Sequence, residues 1–455
     1  MSYKLENSDR GKTKNDVAWE YLFDKYHILD EINNKGIYKI PAKAINEKRE
    51  ARLMTKFDHS AQLPKIFQQH KLSIQPDSRS TYVIGRFDSY RKLPKREDLY
   101  KKSSVQIKAV EFPEDIQTLD PKNIRSEATA LLCAYNAGII SDLLDEQEIR
   151  FTIAGRMSTG KFSYSINDLE QKTSYHIDVD NSQCEIDGGF EGADILAIIE
   201  AKNSSVDNFL IRQLFYPYKL WINKNTSKQV IPIFLSYFDN IFSFYVYKFE
   251  DDENYNSIKL VRQKCYYIGS NDVELQEIIN IRETIKVKLE STNIPFPQAD
   301  VFGRILDMLL EIHSKDQFSQ RDIEINYGLV TRQAQYYASA AIYLGFIQRE
   351  KINTGGVGYS LTKLGSKIIQ QTSRERNLDL VKCILEKKVF NKALEVYINQ
   401  HGKLDRVDII EIMKFENIQL VRGSQETVSR RADTVRGWIN WILRLTQPSQ
   451  GELPW

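Results

Sequence analysis

Apolar residues recur with two different periods along this chain, and the switches between them divide it into four stretches. In the first, VAWEYLFDKYHIL (Val17–Leu29) has the spacing of a helix. Short segments follow, punctuated by Pro41, Pro64 and Pro76, before SRSTYVIGRF, in which Thr81, Tyr82, Val83 and Ile84 favour an extended chain. The polar residues 1–16 read as a mobile arm and the charged KLPKREDLYKKSS (Lys92–Ser104) as a linker, so residues 1–104 are expected to form an N-terminal α+β domain.

The second stretch, 105–290, alternates helix and strand. IRSEATALLCAYNAGIISDLL (Ile124–Leu144) predicts a helix with Gly138 as its one breaker. EIRFTIAGR, SYHIDVDNSQCEID and the short apolar ADILAIIEAK predict strands. Helical spacing returns over Ser205–Ile222, where Pro217 should kink or interrupt the helix. VIPIFLSYF and IFSFYVYKF then pair across the turn signal Asp239-Asn240. The third stretch, 291–372, carries VFGRILDMLLEIH, SQRDIEINYG and TRQAQYYASAAIYLGFI, three helices in helix-turn-helix order. A glycine-rich loop and short strand follow at Gly355–Leu361, the pattern of a winged helix. The fourth, 373–455, is mostly helical and ends in LDRVDIIEIMKFE and SQETVSRRADTVRGWINWIL, a second helix-turn-helix-like pair. The expected class is multidomain α/β plus α, with a central mixed sheet.

Composition narrows the possibilities. The chain has 455 residues, 42% hydrophobic and 27% charged, which excludes a disordered chain, a collagen-like fibre and a disulfide-dense scaffold. Its formal charge of +2 gives no argument for a polyanionic partner, so a nucleic-acid surface must come from local clustering. No apolar run reaches the ~18–20 residues that a membrane helix needs, and MSYKLENSDRGKTKND lacks the apolar core of a signal peptide. A cytoplasmic protein without a membrane partner is the expectation. Four cysteines and six histidines are scattered without metal-ligand spacing.

Candidate chemistry gathers in CEIDGGFEGADILAIIEAKN (Cys184–Asn203). Alternation puts Asp194, Leu196, Ile198, Glu200 and Lys202 on one face of the last strand. A turn at Gly192–Ile195 would set Asp187 opposite Glu200 and Glu185 opposite Lys202, with cross-strand Cβ atoms ~4.5–5.5 Å apart. Two carboxylates so placed can share a hard cation such as Mg²⁺, which keeps several of its waters. Asp194 lies ~20 Å along the strand from Glu200 and cannot join them. Lys202 beside the metal-bound water can orient it, stabilise the developing anion, or accept its proton if its own pKa is depressed. Glu-x-Lys also occurs at Glu170–Lys172 and Glu386–Lys388. Only at Glu200–Lys202 does it close an apolar strand, follow an upstream Asp across a hairpin and lead into a helix.

Asp187…Glu200-Ala201-Lys202, between a preceding helix and a following helix–strand pair, resembles the PD-(D/E)XK nuclease core. REARLMTKFDHSAQLPKIF (49–67), LSIQPDSRSTYVIGRF (72–87), CEIDGGFEG, IIEAKN and FLIRQLFYPYKLW extend the resemblance to a type II restriction endonuclease family with C-terminal winged-helix-like segments. It implies a Mg²⁺-dependent endonuclease, in which Asp187 and Glu200 bind metal and Lys202 assists the attacking water. Glu127 matches the helix glutamate often found at such sites; a helix-dipole role for this carboxylate is the alternative. Ile186 stands where the motif has proline, which leaves Asp187 and Glu185 both open as the metal ligand. Glu185 and Gln213 are otherwise expected behind the ligands, Gln213 within reach of metal-bound water or DNA. The resemblance further implies double-stranded DNA as substrate, 5′-phosphate products, a homodimer on a symmetric site and a companion DNA methyltransferase.

Gly188-Gly189 reads as a bulge approaching a phosphate or as a turn, and the aromatic run Phe215, Tyr216, Tyr218, Trp221 as core. Base readout calls for Arg, Asn or Gln early in the second helix of a helix-turn-helix. Arg332, Gln333 and Gln335 stand there, as do Arg430, Arg431 and Arg436, accompanied by Ser429 and Thr434, in the last helix. Two other functions compete: a non-catalytic winged-helix DNA-binding regulator, and a DNA repair nuclease with the same core.

Overall fold

A computed structural model of the chain describes residues 13–94, 107–121, 124, 126–170, 172–204, 206–224, 227–238, 240–268, 273–288, 294–314, 318–327, 331–351, 357–371, 373–400, 402–416 and 425–446. They fall into two compact units. The first comprises the described residues of Met1–Leu99, Ser126–Tyr237 and Phe242–Lys264, the second those of Tyr100–Arg125, Phe238–Ile241 and Cys265–Trp455.

Structure begins within the expected arm. Thr13 caps α1 (Lys14–Lys25): its hydroxyl accepts from the Asp16 amide, and the Asp16 carboxylate accepts from the Thr13 amide. Residues 1–12 lie outside the described residues. The helix expected to run to Leu29 is two helices, because His27 turns left-handed (φ 49°) and α2 (Ile28–Lys35) starts afresh. Next come β1 (Ile37–Pro41), α3 (Ala42–Asn46), α4 (Ala51–Thr55), α5 (Lys65–Gln69), β2 (Ser73–Pro76) and β3 (Thr81–Gly85). The three strands form an antiparallel sheet in the order β1-β3-β2. Their largely aliphatic core holds an aromatic cluster, with Trp19 and Phe67 packed edge-on at 4.9 Å. The expected linker starts as ordered chain, since Lys92 ends β4 (Tyr90–Lys92) and Leu93 is buried; its residues 95–104 lie outside the described ones.

After β5 (Ile107–Val110), a strand of the second unit, the helix expected over Ile124–Leu144 divides at Gly138 (φ 71°) into α6 (Glu127–Asn136) and α7 (Ile139–Leu144). The strands β6 (Arg150–Ser158), β7 (Lys161–Asn167), β8 (Ser174–Asp180), β9 (Gln183–Glu191), β10 (Ile195–Lys202) and β11 (Asn208–Leu210) follow. Then come α8 (Arg212–Asn223), β12 (Gln229–Phe238), β13 (Ile241–Phe249) and β14 (Ile258–Ile268). The start of the helix expected at Ser205 is a strand instead: β11 pairs antiparallel with β4, and only Arg212 onward is helical. The helix then runs through Pro217 without interruption.

A large mixed sheet organises this unit, in the order β14-β13-β12-β10-β9-β6. β9 is antiparallel to both its neighbours, whereas β10 and β12 run parallel, joined by a crossover through α8. Buried on both faces, β10 has six consecutive buried residues, as a central strand covered by helices should. Phe215, Tyr216 and Tyr218 of α8 sit in the core against Leu196 and Ile198, with Trp221 packed at its margin.

In the second unit, β5 pairs in parallel with Cys265–Ile268. The remaining elements are α9 (Leu275–Thr284), α10 (Phe302–Ser314), β15 (Phe318–Ser319), α11 (Gln320–Tyr327), α12 (Thr331–Tyr343), β16 (Ile347–Lys351), β17 (Val357–Leu361), α13 (Lys363–Gln370), α14 (Ser373–Leu385), α15 (Lys388–Asn399), α16 (Arg406–Phe415) and α17 (Gln425–Arg444). β16 and β17 form an antiparallel hairpin, and β15 adds to the far side of β17. Gly355-Gly356 lie outside the described residues. The two modules expected at 291–372 and 373–455 share one core: Phe296, Phe390 and Trp438 stack together, and the Trp438 indole donates to the Ala299 carbonyl at 2.7 Å. Among the described residues no helix is long and apolar enough to cross a membrane.

Candidate active site

The hairpin β9–β10 builds the site. The Gly192 amide donates to the Ile195 carbonyl at 3.0 Å, closing the turn, and the ladder runs from Glu191↔Leu196 to Gly188↔Ile199. One residue further the ladder gives way to a side chain: the Ala201 amide donates to Asp187 Oδ2 at 2.8 Å. Asp187 is thereby fixed against the strand segment that carries Glu200 and Lys202. Glu127 arrives from the first turn of α6, whose start is fixed by Ser126 accepting from the Thr129 amide.

Lys202 is the hub. Its Nζ lies 2.6 Å from Glu200 Oε1, 3.6 Å from Glu127 Oε1 and 3.8 Å from Asp58 Oδ2. Carboxylates therefore outnumber the ammonium, in a place largely shut off from water. Burial pushes the Glu200 carboxyl up to about 8, against the opposing pull of Lys202. Asp187 and Glu127 are also raised, in each case chiefly by burial. Burial works against the charge of Lys202 too, but Glu200, Asp58 and Glu127 together outweigh it and hold its pKa above the ordinary lysine value. Lys202 is thus an ammonium at neutral pH. In the site without a cation it is therefore a hydrogen-bond donor and a positive charge.

A hard divalent cation fits this donor chemistry. Glu200 is a buried carboxyl with too little positive charge around it, and the neighbouring Gln213, which donates through Nε2 to Glu200 Oε1, keeps a buried Oε1 with no hydrogen-bond partner. A cation and its waters would satisfy both groups. Among the described residues no three His, Cys, Asp or Glu side chains are gathered tightly enough to ligate an ion by themselves. Asp187 and Glu200 are the residues that would hold one, with water and substrate oxygens supplying the rest.

Other candidates fall elsewhere. Glu185 is half-exposed and turns to Arg156 on β6, at 3.4 Å, so Asp187 is the β9 acid that meets the Glu200 strand. Gly188 and Gly189 form no turn: both pair within the β9–β10 ladder. On the β6 edge the register is irregular between Ile153↔Gly189 and Gly155↔Ile186, so the bulge expectation holds on that side. A Cβ on Gly189 would lie 2.6 Å from the Ile153 Cβ, and one on Gly188 would press on Phe190 and Leu131. Asp58 escaped the sequence-based candidates. It stands far from the motif in the chain, within the FDHS of Phe57–Ser60, and no spacing rule connects the two.

On α12, Arg332, Gln333 and Gln335 are exposed, and the Arg332 guanidinium lies 5.6 Å from the Tyr336 ring centroid. Ala334, Tyr337, Ala338 and Ala341 bury the opposite face. The basic residues of α17 are placed differently. Arg430 pairs with Glu426 at 2.5 Å, Arg436 with Asp433 at 3.3 Å, and Arg406 reaches the same Asp433. Arg431 is partly buried. Thr434 is fully buried, its hydroxyl donating to the Arg430 carbonyl. It cannot join a base-reading set.

Three family models match the chain, each described as a domain of unknown function: DUF6996 over residues 16–84, DUF6997 over 85–267 and DUF7226 over 304–447. The last spans both C-terminal helical stretches, in keeping with their shared core. No curated protein and no solved structure matches the chain.

Proposed function

We propose that this protein is a Mg²⁺-dependent endonuclease of the PD-(D/E)XK type, and specifically a type II restriction endonuclease that hydrolyses phosphodiesters of double-stranded DNA. The proposal rests above all on the convergence of Asp187, Glu200 and Lys202 from two neighbouring strands, with Glu127 on the preceding helix. A bound Mg²⁺ would lower the pKa of its water and offset charge on the phosphorus centre. Asp187 and Glu200 supply its carboxylates. Lys202 donates hydrogen bonds to the attacking water and to the oxygens that gain charge in the transition state. Glu127 and Asp58 keep the ammonium charged. Cleavage on this scheme leaves 5′-phosphate and 3′-hydroxyl ends.

DNA reading is assigned to the second unit. The order α10, β15, α11, α12, β16, β17 supports a winged-helix reading, in which α12 would take the recognition position with Arg332, Gln333 and Gln335 outward. Cutting both strands of a symmetric site calls for a homodimer, and a methyltransferase of the same specificity would protect the host DNA.

Purified protein incubated with unmethylated phage DNA in Mg²⁺ or EDTA, followed by run-off sequencing of the ends, tests this. Discrete, Mg²⁺-dependent fragments are expected, blocked by methylation of one short sequence. Cleavage indifferent to methylation would favour a repair nuclease. DNA left intact under every divalent ion, but bound, would favour a regulator.

A further inference from the structure

In the nuclease reading, the partner closest to Lys202 is also a metal ligand. Once the Glu200 oxygens serve a cation, the ammonium needs a second anchor, or its flexible four-carbon stem is free to leave the site. Glu127 is one candidate at 3.6 Å, but its side chain is 40% exposed. Asp58, at 3.8 Å, is 16% exposed and far better held. Its amide donates to Gln62 Oε1 at 2.7 Å, and its carbonyl accepts from the Leu210 amide at 2.8 Å. On either side, Phe57 accepts through its carbonyl from the Tyr90 hydroxyl, and Ser60 exchanges two hydrogen bonds with Asn208. The segment is stitched to the β4–β11 ribbon along its length. Lys56, the other cation near Asp58, is 4.0 Å away and mostly exposed, so it competes weakly.

We propose that Asp58, delivered by the N-terminal segment, is a positioning residue that holds Lys202 at the site independently of Glu200. Its catalytic consequence rests on the nuclease reading, whereas the contact itself does not. The site is then drawn from two matched domains, Asp58 from 16–84 and Lys202 from 85–267, and residues 85–267 alone lack one of its parts.

The test compares full-length wild type with Asp58→Asn and Asp58→Glu. Modification of Lys202 by an amine-acylating reagent, at one fixed pH and with Mg²⁺ present, is followed by peptide mass spectrometry with Lys35 as internal reference. Asp58→Asn should accelerate it several-fold, and Asp58→Glu should restore nearly the wild-type rate. Single-turnover cleavage of unmethylated phage DNA should fall roughly tenfold to hundredfold in Asp58→Asn, the scale of a misplaced catalytic group. DNA affinity measured in Ca²⁺ should be unchanged, and Asp58→Glu should recover most of the rate. Unaltered Lys202 modification in a folded Asp58→Asn protein overturns the proposal, whatever happens to DNA. Altered modification with no cleavage by wild type sinks the nuclease reading and leaves the contact standing. If Asp58→Asn fails to fold, Asn208→Ala, which removes the Ser60 stitches but keeps the carboxylate, should shift both readouts in the same direction by less; no shift there overturns the proposal.

Discussion

At the scale of single residues, the site is an unbalanced set of charges, and the imbalance is measurable without substrate. Glu200 has a folded-state pKa of about 8 against an ordinary value of 4.5. Between those values the unfolded chain gives up a proton that the folded protein keeps, so folding stability drops as pH rises through the interval. His59 works the other way. Burial lowers it from 6.5 to about 4, so its contribution is lost as pH falls below 6.5. Lys202, raised above its ordinary 10.5, is protonated in both states throughout and adds no slope. The window from pH 6.5 to 8 therefore excludes His59 and leaves the slope to the raised carboxyls, of which Glu200 is shifted furthest. Urea denaturation should show decreasing stability across it in wild type and a flatter profile in Glu200→Gln. Added Mg²⁺ should restore stability at the alkaline end, because the cation replaces the proton. A second substitution separates binding from chemistry: Lys202→Ala should leave DNA affinity intact and reduce single-turnover cleavage by about a thousandfold. Four of the clustered residues are legible in the sequence. Asp187, Glu200 and Lys202 flank a single short turn, so alternation and register alone bring them together, and Glu127 opens the helix before them. Asp58 reaches the site only through tertiary docking, which no local period encodes.

Secondary-structure elements show the same division between local and long-range information. β10 is plain in ILAIIEAK, and β12 and β13 are plain on either side of Asn240, whose left-handed backbone (φ 60°) lies in the turn between them. Ser205–Leu210 misleads. Its apolar spacing suits a helix, yet Asn208–Leu210 are drawn into a ladder with Tyr90–Lys92, a partner remote in sequence. The glycine pair is legible only in part. Gly188 and Gly189 do not turn the chain but sit where the β9–β6 register is irregular, and what packs on them leaves no room for a side chain. Gly189→Ala should test this sharply, since its new methyl would meet the backbone-anchored Ile153 Cβ. A loss of about 1–3 kcal/mol in denaturant unfolding is expected. The strand shift needed to admit the methyl would also move Asp187, two residues away, so cleavage should weaken beyond what the stability loss explains.

For the molecule as a whole, the proposed function raises the question of how sequence selectivity would divide between two helices with similar composition. Both α12 and α17 carry residues suited to base readout, and in the sequence the first is followed by a wing-like segment and the second is not. Their surroundings separate them. Arg430 and Arg436 already face Glu426 and Asp433, so moving either onto DNA first requires breaking an ion pair, and the acids left behind repel phosphate. Gln333 and Gln335 point outward from a helix seated by alanines, and the partner of Arg332 is a neutral tyrosine ring rather than an acid. Substitution by alanine should therefore have unequal effects, best measured in a Lys202→Ala background where DNA is bound and not cut. Each of Arg332→Ala, Gln333→Ala and Gln335→Ala should cost ~1–3 kcal/mol on the specific sequence, with relaxed discrimination against single-base variants. Arg430→Ala and Arg436→Ala should change affinity little and equally for all sequences. Specific and random duplexes titrated at two salt concentrations distinguish the cases, since loss of a phosphate contact lowers the salt slope and loss of a base contact does not. If the α17 substitutions prove the more damaging to discrimination, the reading helix is α17, and the segment from α10 to β17 serves to hold DNA rather than to read it.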